Sequence, residues 1–258
     1  MHLVTWILLF CLSLSGAVLA DKRMNKDTKV TIAATHITNL VEENGSGIYQ
    51  RIMTEALARS TFNVEQIFSP YKRAILLFEN GDVDCIYSFS GVMAKKFGES
   101  NINYSFPLGA FAYYMFTPYG QAALTDPKQL ESLRVGAVVG HDTYYKHRLN
   151  ERIALEFVTN DRQNIKKLSL NRLDAMIGAI PDLLPYVAQF SFSPKHALVE
   201  SYDRITCHKN HRTSLFLDSL SPSLKNLKNN GTYKAIAGSL YFDFDERSSE
   251  TRKNILNL

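Results

Sequence analysis

Hydroxyl side chains that could bind a polar molecule follow a short apolar stretch that ends at Ile86. They belong to the segment Tyr87-Ser88-Phe89-Ser90-Gly91. If the apolar stretch is a parallel strand, this segment lies beyond its carboxyl end, where ligands bind in α/β sheets. Residues two apart on a strand share a face, so Ser88 and Ser90 could contact the same ligand. The alternative interpretation is a solvated turn.

Two further segments carry side chains suited to a ligand. Tyr71 could form an aromatic wall and Arg73 could bind a carboxylate, unless Arg73 is only a surface cation of its helix. The segment Gly140-His141-Asp142-Thr143 lies between a predicted strand and a predicted helix, so its backbone N–H groups could hold an anionic group. Asp142 either caps the helix or faces the ligand, and in the second case it favours a cation.

The elements that position these residues contain one repeated phrase. Residues 77–87 read as a helix end, a tight turn and a short buried strand, and residues 168–177 repeat this pattern. In the repeat, Val83-Asp84-Cys85 corresponds to Leu173-Asp174-Ala175. Two matched helix-to-strand units predict two α/β lobes, and small molecules usually bind in the cleft between such lobes.

Hydrophobic periodicity and turn signals predict the other elements. The predicted strands cover residues 29–34, 63–68, 83–87, 110–116, 133–138, 154–158, 172–177 and 201–208. The predicted helices cover residues 47–59, 70–78, 126–132, 142–149, 161–168, 213–228 and 232–239, with Asp161 as the cap of its own helix. The C-terminal strand and helices are expected to pack back on the first lobe, with chain crossings near Phe116 and Ile205.

Composition and charge describe an ordinary soluble globular protein. Of the 258 residues, 45% are hydrophobic and 21% are charged. The net charge is only +4, and the Lys and Arg residues are spread along the chain instead of forming a stripe. This distribution argues against a nucleic-acid partner.

The N-terminal segment has the features of a signal peptide. An apolar run at residues 3–14 is followed by Val18-Leu19-Ala20, which supplies a small residue before a cleavage site. We therefore predict cleavage after Ala20 and export from the cytoplasm. The alternative is an uncleaved membrane anchor, although the run is shorter than the about 20 residues that span a bilayer.

Two cysteines remain after that segment, Cys85 and Cys207. An even number in an oxidising compartment permits one disulfide, and the alternative is that Cys85 is a small buried residue on a strand. Cys207 and His208 are not expected to share a metal ion, because adjacent strand residues point to opposite faces. We expect neither a metal nor a cofactor.

Six short motifs, taken in order, resemble those of the family 3 extracellular solute-binding proteins, the polar amino acid class of bacterial transport receptors. The motifs are Gly47-Ile48-Tyr49, Pro70-Tyr71-Lys72-Arg73-Ala74, Asn80-Gly81-Asp82-Val83-Asp84, Leu133-Arg134-Val135-Gly136-Ala137-Val138-Val139-Gly140, Asn171-Arg172-Leu173-Asp174-Ala175 and Leu227-Lys228-Asn229-Asn230-Gly231-Thr232-Tyr233. The resemblance runs over almost the whole chain after residue 20.

The resemblance implies an α/β fold of the bilobal periplasmic binding protein type II. Residues 1–20 would be the signal peptide, residues 21–117 and 206–258 would form lobe I, and residues 118–205 would form lobe II. It also implies a monomeric periplasmic protein without enzymatic activity. Its lobes would close on a small polar solute and deliver it to the membrane permease of an ABC importer.

Two departures from the family pattern concern the ligand. Members that bind α-amino acids carry an arginine for the carboxylate where this sequence has Lys96, and an aspartate for the amino group where it has Ala179. Lysine lacks the planar fork of arginine. We therefore predict a solute other than a standard α-amino acid, with Asp182 as a substitute acid if the local alignment shifts by one turn. The predicted binding residues are Tyr71, Arg73, Ser88, Ser90, Lys96, Gly140, Asp142 and Thr143.

Two alternative functions remain open on the same scaffold. The first is a sensory or partner-binding protein that signals in trans through a membrane receptor. The second is a periplasmic dehydratase, which some relatives of this family are. A dehydratase needs an acid in the cleft as general acid or base, and Asp142 is the candidate in this sequence.

Overall fold

The computed structural model describes residues 28–244, with the side chains of Phe89 and Ser90 left aside. The predicted signal peptide lies outside this range. Among the described residues, no helix combines the length and the apolar character that a membrane span requires.

The helices and strands alternate along most of the chain. The strands are β1 (Lys29–Ala34), β2 (Asn63–Phe68), β3 (Cys85–Phe89), β4 (Ile102–Tyr104), β5 (Gly109–Pro118), β6 (Val135–Val138), β7 (Leu155–Val158), β8 (Ala175–Ile180), β9 (Phe190–Ser191) and β10 (Val199–His208). The α-helices are α1 (Ile48–Leu57), α2 (Tyr71–Glu79), α3 (Ser90–Phe97), α4 (Asp142–Tyr145), α5 (Asp161–Ser169), α6 (His211–Asn229) and α7 (Thr232–Ala237). Short 3-10 helices occupy Pro127–Leu130, Lys146–Arg148, Leu184–Gln189 and Gly238–Leu240.

One sheet connects two parallel units of the same design. Its strand order is β2-β1-β3-β10-β5-β8-β6-β7. β1 lies parallel to and between β2 and β3, and β6 lies parallel to and between β7 and β8. The long strands β10 and β5 run antiparallel between the two units. The predicted bilobal α/β fold, built from two matched units, is confirmed.

The two aspartates of the repeated phrase have the same structural role in their units. The Asp84 carboxylate accepts hydrogen bonds from the backbone N–H and the hydroxyl of Thr31, at 2.9 and 3.1 Å, and it forms an ion pair with Arg212. The Asp174 carboxylate accepts from the backbone N–H and the guanidinium of Arg134. Each aspartate therefore links the amino end of its own strand to the neighbouring strand.

Strand β5 joins the cores on both faces of the sheet. Phe111, Tyr113 and Met115 pack with the apolar residues around β6, whereas Ala112, Tyr114 and Phe116 pack with those around α5 and β9. Alternate residues of a strand point to opposite faces, so a strand with apolar side chains on both faces is buried on both. Its aromatic sequence, which predicted a strong strand, follows from this position.

Cys85 and Cys207 form a disulfide between β3 and β10. The two residues are paired directly across these antiparallel strands, with their Cα atoms 4.0 Å apart, and both are fully buried. The interpretation of Cys85 as an unpaired small residue is therefore wrong. The sequence could not distinguish the two interpretations because the strand register decides which side chains face each other.

The main differences from the predicted elements concern short helices. The helices predicted at residues 126–132 and 142–149 shrink to the 3-10 helix Pro127–Leu130 and to α4 followed by a 3-10 turn. Helix α3 was not predicted. It begins at Ser90, so Ser88 and Ser90 do not share the face of one strand as predicted.

The lobe boundaries at residues 117 and 205 stay a prediction. From Asp203 onward β10 pairs with β3, whereas its first residues pair with β5.

Candidate functional site

The carboxyl ends of the strands in the two parallel units meet at one place. Tyr71, which opens α2 just beyond β2, and Tyr144, which lies on α4 beyond β6, come from different units. The hydroxyl of Tyr144 donates a hydrogen bond to the hydroxyl of Tyr71 at 3.0 Å. This contact brings together two segments that the sequence separates by more than seventy positions, and it marks the candidate site.

Four of the predicted binding residues lie in the segments that make this contact. Tyr71 forms it, and Gly140, Asp142 and Thr143 belong to the turn and helix that carry Tyr144. The hydroxyl of Thr143 donates to the backbone oxygen of Gly140 at 2.7 Å, which closes the turn. No side-chain cap bond is formed at the start of α4, so Asp142 does not cap it in the predicted way.

The other predicted residues are placed differently. The Ser88 hydroxyl donates to the hydroxyl of buried Thr206 on β10 at 2.7 Å, so it is engaged within the sheet. Arg73 is exposed on α2. Lys96 forms an ion pair with Glu79 at 3.1 Å, with both side chains more than two-fifths exposed. The side chain of Ser90 is outside the description.

An aromatic layer surrounds the contact between the two units. The Tyr113 ring on β5 stacks on Tyr144, with ring centroids 5.8 Å apart, and packs against Tyr145 at 5.0 Å. His141 lies 6.1 Å from the Tyr113 ring. Burial lowers the pKa of His141 to about 4 despite the nearby charge of Asp142, so this imidazole is neutral at pH 7.

Three carboxyl groups lie at the same edge of the sheet. Asp161 begins α5 directly after β7, Asp182 follows β8, and Asp203 lies on β10 where this strand passes between the units. Asp161 and Asp182 are partly exposed, whereas Asp203 is only 5% exposed. A ligand can therefore reach two of the three acids.

These carboxyl groups share an unusual electrostatic environment. Burial raises the pKa of Asp161 to about 6 and that of Asp203 to about 7. Burial, together with the charges of Asp161 and Asp203, raises the pKa of Asp182 well above its ordinary value. Because each charge opposes the others, the site holds fewer than three negative charges when it is empty.

Local sequence explains why the side chains of Asp161 and Asp203 reach the site. Asn160 caps α5 by accepting a hydrogen bond from the N–H of Gln163. The prediction that Asp161 caps this helix is therefore wrong, and the Asp161 carboxylate does not serve as the cap. Asp203 accepts a 2.5 Å hydrogen bond from the hydroxyl of Tyr49. The Tyr49 ring fits because Gly109 lies opposite Asp203, where any Cβ would come within 2.6 Å of the Tyr49 hydroxyl oxygen.

The sequence carried a signal for Asp161, which was predicted only as a helix cap, and for Asp182, which was predicted only as a substitute acid. The rule that ligands bind beyond the carboxyl ends of strands was applied to β3 and β6 only. Applied to β7 and β8, it selects Asp161 and Asp182. Asp203 and Tyr113 could not be found in this way, because they lie within strands and reach the site only through the pairing of β5 and β10.

Of two cavities in the described residues, one lies near the site and the other lies elsewhere. The first, of about 30 Å³, lies next to the tyrosine contact and is lined by residues of α3, α4, β5 and β10, among them Lys95 and Thr143, and by His147 of the 3-10 helix Lys146–Arg148. A larger groove of about 790 Å³ lies on another surface, and its cations are Lys128, Arg148 and Lys195. Among the described residues, no group of three His, Cys, Asp or Glu side chains is arranged to hold a metal ion.

No protein-family model matches this sequence, and no curated protein is similar to it in sequence. Many solved structures share its fold. The ligand-binding core of GluR0 from Nostoc punctiforme, in complex with L-glutamate, is 21% identical with a TM-score of 0.65, over 82% of this chain and 99% of that one. The L-cystine solute receptor of Neisseria gonorrhoeae, in an unliganded open conformation, is 13% identical with a TM-score of 0.59. This match covers 85% of this chain and 95% of that one.

A third similar structure is the ancestral amino-acid-binding protein AncCDT-1, described as a precursor of cyclohexadienyl dehydratase. It is 13% identical with a TM-score of 0.64, over 86% of this chain and 98% of that one. At these identities the likeness establishes the fold. The chain has the bilobal architecture of amino-acid solute-binding proteins.

Proposed function

We propose that this chain is a solute-binding protein that holds a small polar molecule between its two parallel units, at the facing carboxyl ends of their strands. The observation that carries this proposal is the direct contact of Tyr71 with Tyr144. The Tyr144 ring stacks on Tyr113, which lies within electrostatic reach of the two partly exposed acids. A molecule that contacts both units would stabilise the form in which the units lie close together, because it makes more contacts with that form than with the separated form.

The proposed solute is not a standard α-amino acid. Lys96, at the position expected to bind the α-carboxylate, is paired with Glu79 instead. Ala179, at the position expected to bind the α-amino group, offers no polar atom in its side chain and is buried. Binding an α-amino acid here would leave its charged groups without their usual partners, which costs several kcal/mol, roughly.

The proposed setting is the periplasm, with the permease of an ABC importer as partner. Strands β5 and β10 connect the two units and would act as the hinge between lobe I (21–117 and 206–258) and lobe II (118–205). The fold shared with solute receptors supports this proposal.

A thermal-shift panel of small cations, zwitterions and anions tests the proposal. A true ligand at one hundred times its Kd adds about 2.7 kcal/mol to the free energy of unfolding, which raises Tm by several degrees. Thr143→Trp, at the small cavity, should abolish the shift. Leu215→Trp, at an exposed position of α6, is the matched control and should retain it. A panel without any shift, or equal shifts in both variants, would contradict the proposal.

A second candidate function is acid catalysis in the same cleft. Burial and the charges of Asp161 and Asp203 raise the pKa of Asp182, which favours the protonated form that a general acid requires. Asp182 is therefore a better candidate for this role than Asp142. Incubation with hydroxylated cyclohexadienyl carboxylic acids, followed by NMR, tests it: turnover that Asp182→Asn abolishes would establish an enzyme, and its absence would leave binding alone.

A further inference from the structure

We infer that the solute is an organic cation with one or more protonated amino groups and no carboxylate, and that Asp161 and Asp182 bind its ammonium groups. The inference rests on the proposed function and specifies the chemistry of its ligand.

The first argument is the uncompensated charge of the acids. Neither Asp161 nor Asp182 takes part in an ion pair within residues 28–244. A nearby positive charge favours the ionised form of a partly desolvated carboxyl group. A cationic ligand would supply the missing partner.

The second argument is independent of the acids and concerns Tyr145. Its side chain is fully buried in α4, and its hydroxyl has no hydrogen-bond partner among the described residues. The hydroxyl lies within electrostatic reach of Asp142 and Asp161. Buried polar groups rarely remain unpaired, so this oxygen is available to accept from an ammonium N–H beside Asp161.

The third argument is the aromatic surface near the acids. Tyr113 lies within electrostatic reach of all three carboxyl groups, and its ring stacks on that of Tyr144. Aromatic rings bind the hydrocarbon part of an alkyl amine by apolar contact, and their faces attract cations. An aromatic surface next to a group of acids suits the hydrocarbon chain of an alkyl amine.

The fourth argument is the position of the basic side chains. Lys95 and Lys96 lie on the side of Tyr71: Lys95 lines the small cavity, and Lys96 is paired with Glu79 and acts on the Tyr71 hydroxyl. Arg73 is exposed on α2. None of the charges that shift the pKa values of Asp161, Asp182 and Asp203 belongs to a lysine or an arginine. A carboxylate placed among these acids would be repelled without compensation.

Calorimetric titration with matched pairs of ligands tests the inference. Cadaverine differs from L-lysine, and agmatine from L-arginine, only by the α-carboxylate. Each amine should bind at least tenfold more tightly than its amino acid. Asp161→Asn and Asp182→Asn should each weaken cadaverine binding at least tenfold. Asp218→Asn, an exposed carboxyl on α6, is the matched control and should leave the affinity unchanged.

A second readout does not depend on the stability of the variants. An ammonium group favours the ionised form of the acids, so binding of cadaverine near pH 6.5 should release protons. Titrations in two buffers with different ionisation enthalpies measure this release. Proton uptake, or no proton exchange, would contradict the inference.

The possible outcomes separate the inference from the proposed function. Tighter binding of the amino acids, or binding of an anionic solute alone, would overturn the inference and leave a solute-binding protein. Binding of Ca²⁺ or Mg²⁺ without any amine would overturn it in favour of an inorganic ion. If nothing in the thermal-shift panel binds, both fail.

Discussion

Aspartates at opposite ends of the strands have opposite electrostatic environments. Hydrogen bonds from Arg134 lower the pKa of Asp174 to about 2 at the amino end of β8, whereas burial raises the pKa of Asp161 to about 6 beyond the carboxyl end of β7. The first carboxylate stabilises the fold with its charge. The second is protonated more easily and gains from a cationic partner.

The stability of the ligand-free protein should decrease as pH rises through the pKa values of the cleft acids. Asp203 has an unfolded pKa near 3.9 and a folded pKa of about 7, so the folded state binds more protons between these values and loses this advantage as pH increases. Urea unfolding at pH 4.5 to 7.5 measures the slope. Asp203→Asn should make the slope smaller, and an unchanged slope would show that Asp203 does not contribute.

The repeated phrase provides an internal control for the structural aspartates. Asp84→Ala removes the acceptor for the Thr31 N–H and the ion-pair partner of Arg212. The Asp84 side chain is only 15% exposed. The expected loss is about 1–3 kcal/mol of the free energy of unfolding. Asp174→Ala, whose side chain is 35% exposed, should cost less. Urea denaturation compares the two, and a larger loss for Asp174→Ala would contradict this assignment.

At the scale of elements, strands were easier to predict than the positions of side chains at their ends. β1 and β2 occur at the predicted residues. Helix α3 was missed because Gly91 and Val92 lie in its first turn and both residues disfavour helices. The tyrosine contact and the disulfide could not be predicted, since both depend on how segments far apart in sequence are paired in space.

The disulfide between β3 and β10 should be a major source of stability. Its sequence separation of 122 residues restricts a large part of the unfolded chain, and a loop of that order contributes about 4–5 kcal/mol in the chain-entropy account. Cys85→Ala with Cys207→Ala should therefore lower the urea midpoint strongly without changing ligand specificity. Alkylation of two thiols in the native, unreduced protein would contradict the disulfide.

At the scale of the whole molecule, the tyrosine contact should favour the form in which the two units touch. Tyr144→Phe removes a hydrogen bond whose net contribution is about 0.5–1.5 kcal/mol, which corresponds to a roughly 2- to 12-fold change in the equilibrium with a separated form. Small-angle X-ray scattering of the ligand-free protein should show a larger radius of gyration for the variant. Tyr186→Phe, at a partly buried tyrosine of the second unit, serves as the control. Equal radii for the wild type and Tyr144→Phe would show that the hydrogen bond does not hold the units together.

Hydrogen–deuterium exchange with and without the tightest binder of the solute panel tests the central claim most directly. If the solute lies between the two units, protection should appear at residues 69–72, 140–145, 159–162 and 181–183, beyond the carboxyl ends of β2, β6, β7 and β8. Protection confined to the groove lined by Lys128, Arg148 and Lys195 would contradict the account and assign the ligand to another surface.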